Sequence, residues 1–157
     1  LEFPNGTQVD YERLIGSPQG AVLVIPMLNE QTVLLTREYA AGVGRYELAL
    51  PKGKIESHES VIESANREMK EEIGYGAHSL EHIFTVTISP GYLSHETHIV
   101  LAQELYEQRL EGDEPEPIEV VPWRLDNMDA LLTHKECTEA RSIAAIYMVR
   151  DRMQNKV

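Results

Sequence analysis

Residues Gly53 to Tyr75 read GKIESHESVIESANREMKEEIGY, and the spacing of the apolar positions predicts a helix over about Ser60 to Ile73. At about 100° per residue, Ile62, Ala65, Met69 and Ile73 share one narrow stripe, the face a helix turns to a core. Glu68 and Glu72, four apart, lie together at the margin of that stripe, and Glu71 sits beside them. Like charges at this spacing destabilise an isolated helix by about 0.2–0.5 kcal/mol per pair, and by more where solvent screens them less. A hard divalent cation with oxygen ligands removes the penalty; Mg²⁺ takes one or two carboxylates plus substrate phosphates. Glu59 precedes the helix, where negative charge suits the N-terminal dipole. Gly74 suits a left-handed C-terminal cap. Pro51 and Gly53 mark a turn whose backbone carbonyl at Lys52 can face the same cation. Arg67 points away from the core stripe, toward Glu59 or another carboxylate. Helix composition alone also fits a solvated acidic surface, because glutamate is a strong helix former.

Working outward, residues 1–15 read as a hairpin with its turn at Asn5-Gly6. Ala21 to Leu28 reads as a buried strand and Thr32 to Glu38 as its antiparallel partner across a turn at Asn29-Glu30-Gln31. Tyr46 to Leu50 is a short strand stopped by Pro51. Beyond the helix, Leu80 to Thr87 and Thr97 to Glu104 read as strands joined by Ser89-Pro90-Gly91. Gly112 to Pro117 is an acidic, proline-stiffened loop, and Val120 to Arg124 a last strand. Asp126 to Leu132 reads as a short helix capped by Asp126. Thr138 to Met153 is a longer helix, its faces marked by Ala140, Ile143, Ala144, Tyr147, Met148 and Asp151. Strands outnumber helices, which predicts an α+β domain, a mixed β-sheet between helices in an α/β/α sandwich.

The 157 residues suffice for one domain with a real core and are too few for two ordinary ones. Apolar content of 42% and charged content of 25% are those of a folded globular chain. The longest apolar runs, Ala21 to Ile25 and Ile99 to Ala102, fall far short of a bilayer span. No signal peptide is visible, and the chain opens on Leu1 rather than Met. Cys137 is the single cysteine, so no internal disulfide is possible and a reducing cytoplasm is expected. Fourteen basic against 26 acidic residues give a net charge of −12, which repels nucleic acid and anionic membranes. Phosphates are repelled as well, unless cations reverse the sign locally.

The pattern Gly, five residues, Glu, seven residues, Arg-Glu, two residues, Glu-Glu, one residue, Gly resembles the Nudix box. All of its fixed letters are present, at Gly53, Glu59, Arg67, Glu68, Glu71, Glu72 and Gly74. The closing apolar position is Tyr75, where an aliphatic residue is commoner. The resemblance implies hydrolysis of a nucleoside diphosphate linked to another group, with Mg²⁺ or Mn²⁺. Carried across residue by residue, it makes Glu68 and Glu72 the principal metal ligands and gives Glu71 a further metal or the activation of water. The carbonyl of Lys52 completes the inner shell, and Gly53, Glu59 and Arg67 shape the box.

Flanking residues resemble the ADP-ribose pyrophosphatases and, over nearly the whole chain, the bacterial ADP compounds hydrolase branch. Pro90 lies sixteen residues beyond Gly74 in a Ser89-Pro90-Gly91-Tyr92 loop similar to theirs. Arg37-Glu38-Tyr39 is similar to a segment before their box, although Ala40 stands where an arginine usually follows. Ala49-Leu50-Pro51-Lys52-Gly53 likewise departs from the usual Glu-Leu-Pro-Ala-Gly approach. A catalytic glutamate is often found in the loop that here reads Ser94-His95-Glu96, with Glu96 one residue late. The branch implies ADP-containing small-molecule substrates: ADP-ribose, diadenosine polyphosphates and NADH, with AMP released. Arg37, Arg45 and Pro90 are the candidate substrate contacts. Two alternatives remain open: a strict ADP-ribose pyrophosphatase or dinucleoside polyphosphate hydrolase, and a non-catalytic Nudix-fold nucleotide sensor. In this division residues 1–15 form an N-terminal hairpin extension, residues 16–157 form the Nudix hydrolase domain, and the hairpin can exchange with a second subunit in a homodimer. His134 and Cys137 lack the remaining ligands of a zinc site, the other histidines form no metal cluster, and Trp123 is expected in the core.

Overall fold

The structure is a computed structural model and describes residues 1–154; the last residues of the expected domain, 155–157, lie outside the described residues. In chain order the elements are β1 (Leu14–Ile15), β2 (Ala21–Asn29), β3 (Thr32–Ala40), β4 (Arg45–Ala49), β5 (Lys52–Lys54), α1 (Val61–Glu72), β6 (Tyr75–Thr87), β7 (Leu93–Ser94), β8 (Glu96–Glu107), β9 (Glu119–Arg124), α2 (Met128–Thr133) and α3 (Ala140–Gln154). The main sheet runs β4-β3-β2-β8-β6, with β5 added to β2 and β9 to β3. β2 and β8 are parallel, and the other pairs of this sheet are antiparallel. The expected mixed sheet between helices is therefore present.

The apolar run of β2 is continuous because both faces of the strand are covered, and the pleat sends alternate side chains to different cores. Val22 and Val24 join Leu34, Ala65, Met69, Ile73 and Val100 under α1. Leu23 and Ile25 join Leu35, Leu48, Leu101, Leu131, Ile146 and Val149 under α2 and α3. Glu68 and Glu72 are thus anchored to a helix whose neighbouring stripe is locked into the centre of the molecule.

Several expectations change. The turn expected at Pro51-Lys52-Gly53 is the strand β5, with Leu23 facing Lys52 and Val22 facing Gly53; two lysines around a glycine carry no strand alternation. β6 begins at once after Gly74, five residues earlier than its apolar pattern suggested. Asp126 does not cap α2. The N-cap is Asn127, without a side-chain bond, and the Asp126 carboxylate is engaged by the Arg124 guanidinium. On α3 the buried stripe is Ser142, Ala145, Ile146 and Val149, whereas Ala140, Ala144 and Asp151 are exposed. Of residues 1–15, the first nine close on themselves through a single Glu2–Gln8 bridge and a Val9 amide bonded to the Leu1 carbonyl at 3.0 Å. The second arm instead ends in β1, which runs parallel to β7. Trp123 is half-buried, packs against the α3-side core, and donates from its indole to the Asn127 carbonyl at 3.1 Å.

Candidate metal centre and active site

The helix that carries the glutamates is fixed at both ends by local chemistry. Ser60 is the N-cap; its hydroxyl accepts from the Glu63 amide at 3.2 Å, and the Glu63 carboxylate accepts from the Ser60 amide at 2.9 Å, a reciprocal capping box. At the other end Gly74 adopts φ +75, the left-handed turn a glycine takes without strain. A Cβ there would also lie 3.0 Å from the Arg109 guanidinium. Between these ends Ala65 and Met69 are fully buried, which rolls Glu68 and Glu72 onto the covered flank facing β5.

Glu68 and Glu72 are only 8% and 4% exposed. Burial pushes Glu72 up to about 8 against the opposing charge of Lys52, and pushes Glu68 up to about 6 against the Arg67 guanidinium. Glu72 receives the Lys52 amide on both oxygens, at 3.4 and 3.3 Å. Glu68 fills the space over Gly53, where a Cβ would stand 2.0 Å from its Cδ and 2.1 and 2.2 Å from its carboxylate oxygens. Gly53 is therefore the floor of a carboxylate cradle.

Arg67 behaves as its direction on the helix suggested. Its Nε and Nη2 donate to Glu59 at 2.6 and 2.9 Å, Nη1 donates to Glu71 at 2.7 Å and lies 2.9 Å from Glu68, and Nη2 reaches the Lys54 carbonyl at 3.1 Å. The guanidinium holds Glu59 below the usual carboxylate range. One residue so ties the approach to the helix, the strand β5 and two of the helix glutamates, Glu68 and Glu71.

These groups line a cavity of about 740 Å³ with three walls. α1 contributes Arg67, Glu68, Glu71 and Glu72; β3 and the β5 region contribute Glu38, Lys52, Gly53, Lys54 and Glu56; the stretch before β9 contributes Glu111 to Pro115. Eight carboxylates thus face three cationic side chains. Among the described residues no three acidic, imidazole or thiol groups are drawn together at ion-binding spacing, because Arg67 takes Glu68 and Glu71 while Glu72 turns to the Lys52 amide. The residues nonetheless fit a hard divalent cation. The available donors are oxygens, Glu72 is buried with only long amide contacts, and the Gly53 cradle reserves room for a second carboxylate beside it.

Lys52, Gly53, Arg67, Glu68, Glu71 and Glu72 line this cavity, Glu59 stands behind it on Arg67 and Gly74 closes the helix, while the four expected residues Arg37, Arg45, Pro90 and Glu96 lie apart from it. Arg37 grips Glu136 through Nε and Nη2 at 2.7 and 2.8 Å. Arg45 is held by Glu47 at 2.7 Å and Thr138 at 2.9 Å. Pro90 and Glu96 line a separate cavity of about 380 Å³, together with Ser17 and His95. Sequence reasoning missed Glu38, which meets the Lys52 ammonium at 3.5 Å, and missed Glu111, Asp113 and Glu114. The signal for Asp113 and Glu114 was the acidic, proline-stiffened composition of their loop, read only as a segment without regular structure. Cys137 is buried, with its amide bonded to the His134 carbonyl at 3.0 Å.

Residues 17–145 match the NUDIX domain family. The chain is 44% identical to the ADP compounds hydrolase NudE of Escherichia coli (strain K12) over 151 residues, covering 96% of this chain and 81% of that protein. It is 32% identical to the ADP-ribose pyrophosphatase of Bacillus subtilis (strain 168) over 148 residues, covering 93% of this chain and 79% of the relative. A crystal structure of an ADP compounds hydrolase superposes with a TM-score of 0.90 at 42% identity, covering 99% of this chain and 83% of that one.

Proposed function

Because the chain belongs to the NUDIX domain family, we propose that it hydrolyses the pyrophosphate bond of ADP-containing compounds such as ADP-ribose, diadenosine polyphosphates and NADH, releasing AMP. The observation that carries the substrate class is the 44% identity to an ADP compounds hydrolase across 96% of the chain. The cavity is consistent with it: about 740 Å³ lies within the range of small-molecule sites, and its oxygen-rich wall suits a substrate that brings phosphates on a divalent cation.

The cation assigned is Mg²⁺, with Mn²⁺ as the alternative. Glu68 and Glu72 would hold it with the Lys52 carbonyl, and Glu71 would take a further ion or orient the attacking water. When bound, a divalent cation neutralises the pyrophosphate and lowers the pKa of a coordinated water. The chain's own contribution is placement, which a loose phosphoryl-transfer transition state chiefly requires. The Gly53 cradle fixes Glu68, the buried stripe of α1 fixes Glu72, and Arg67 keeps Glu59 and β5 in register with both. Glu111, Asp113 and Glu114 bring carboxylates to the reacting groups from the opposite wall.

The deciding experiment is AMP release from ADP-ribose, NADH and diadenosine triphosphate in Mg²⁺. We expect release from all three, abolished by chelator. Exclusive use of ADP-ribose would favour a strict ADP-ribose pyrophosphatase, as the Bacillus subtilis relative is named. Binding with no AMP release would make the chain a sensor instead. Glu72→Gln should keep the fold and lower kcat by about a hundredfold or more, measured at saturating Mg²⁺. A cytoplasmic homodimer completes the reading. Among the described residues no helix is long and apolar enough to cross a membrane, and Leu1, Leu14 and Ile15 of the N-terminal segment, with Tyr92 beside them, expose apolar surface that a second copy can cover. Light scattering at micromolar concentration should show twice the chain mass.

A further inference from the structure

The stretch that closes the cavity opposite α1 has no regular structure between β8 and β9. It is held at its start, where the Leu110 amide donates to the Lys70 carbonyl at 3.1 Å and Arg109 Nη1 donates to the Glu71 carbonyl at 3.2 Å. At its far end the Tyr46 hydroxyl donates to Glu116 Oε1 at 2.8 Å. Among the described residues no other side chain donates to residues 111–117. Asp113 and Glu114 lie between these two anchors and face a wall that already carries Glu68 and Glu71. Like charge pushes such a segment outward, and ordering it costs backbone entropy. A tie at its far end therefore decides where it stands.

The phenol making that tie is itself aimed. Arg37 Cζ lies 4.3 Å from the Tyr46 ring centroid, and Tyr39 meets the same ring edge-on at 5.5 Å. Arg37 is held in turn by its two bonds to Glu136. This gives a place in the molecule to an arginine that the cavity itself leaves out. The Glu116 carboxylate keeps the phenol's pKa above its ordinary value, so the hydroxyl remains a donor across the neutral range.

We infer that Tyr46 is a positioning residue: its hydroxyl, aimed by Arg37 and Tyr39, pins Glu116 and thereby holds Asp113 and Glu114 against the glutamate helix, setting the Mg²⁺ affinity and turnover of the cavity. The inference rests on the reading of that cavity as the hydrolytic site. Tyr46→Phe keeps the stacked ring and removes only the donor; Glu116→Gln keeps an acceptor.

Amide exchange over residues 111–118, with α1 as internal reference, reports the pinning without any substrate, and calorimetric titration with Mg²⁺ reports the cavity without turnover. In Tyr46→Phe, exchange over 111–118 should accelerate about tenfold while α1 is unchanged. Mg²⁺ affinity and kcat on ADP-ribose should each fall about three- to tenfold, with KM moved less. Glu116→Gln should stay within about twofold of the parent, and Glu116→Ala should reproduce Tyr46→Phe. Unchanged exchange in Tyr46→Phe overturns the inference, as does faster exchange with Mg²⁺ affinity intact, which would leave the bond a purely structural one. If the parent chain releases no AMP, the hydrolytic reading falls, while exchange and Mg²⁺ titration still decide whether Tyr46 sets the loop and the cation affinity.

Discussion

A single methyl at position 53 would collide with the carboxylate of Glu68, and that carboxylate is the free end of a flexible side chain. The collision is therefore relieved by moving Glu68 and not by breaking β5. Gly53→Ala should melt within a few degrees of the parent, yet bind Mg²⁺ at least about tenfold more weakly, since ligand placement is worth that much in metal sites; thermal melts and calorimetric titration check the two halves. A loss of fold with no change in affinity of the remaining folded protein would refute the cradle. At this scale the residues on one helix were legible, because Glu68, Glu71 and Glu72 are neighbours by helical geometry alone. Contacts made by tertiary approach were not. Nothing in the chain links Arg37 to Glu136, 99 positions away, or Tyr46 to Glu116, and the expected substrate contacts at Arg37 and Arg45 are held by carboxylates beyond the site.

α1 is held less by its propensity than by the stripe it buries. Met69 is fully covered between β2 and β8 residues, and Met69→Ala should cost about 2–5 kcal/mol, read as a lower denaturation midpoint with an unchanged slope. Because Met69 sits one residue after Glu68 and three before Glu72, the same variant should weaken Mg²⁺ binding at the proposed site more than a surface alanine would. The period of α1 was readable since Ala65 and Met69, with Ile73 just past its end, mark its buried stripe, even though Ser64 is buried beside them. The buried stripe of α3 was not, because Ser142 lies within it. Its hydroxyl donates to Glu139 at 2.7 Å and accepts the Leu50 amide at 3.0 Å, so a polar residue occupies a core position with its bonds satisfied. β5 escaped for the converse reason: its place depends on pairing with β2, and Lys52-Gly53-Lys54 shows no period of its own.

Over the whole molecule, two cores on either side of one sheet follow from the alternation of β2, and that architecture was readable from the order of strands and helices. The ties that close the molecule over those cores are ionic. Burial tends to raise Glu47, but the Arg45 guanidinium and the Thr138 hydroxyl and amide outweigh it and leave Glu47 below its ordinary value. Burial is likewise outweighed at Glu139 by Arg141 and Ser142. Both groups have lower pKa values folded than unfolded. Their stabilisation is complete above the ordinary glutamate value of about 4.3 and is lost as pH falls through the depressed folded values. Melting temperature should therefore drop steeply on the acid side of that value, and less steeply in Glu139→Gln, where one of these titrations is gone. The eight carboxylates around the cavity carry a consequence for how fast partners meet. A polyanion diffusing toward them is slowed rather than steered, so its association rate should rise with ionic strength, opposite to the usual electrostatically guided encounter. Traffic into the cavity then favours an ADP-containing compound already escorted by its own counterion over a bare one.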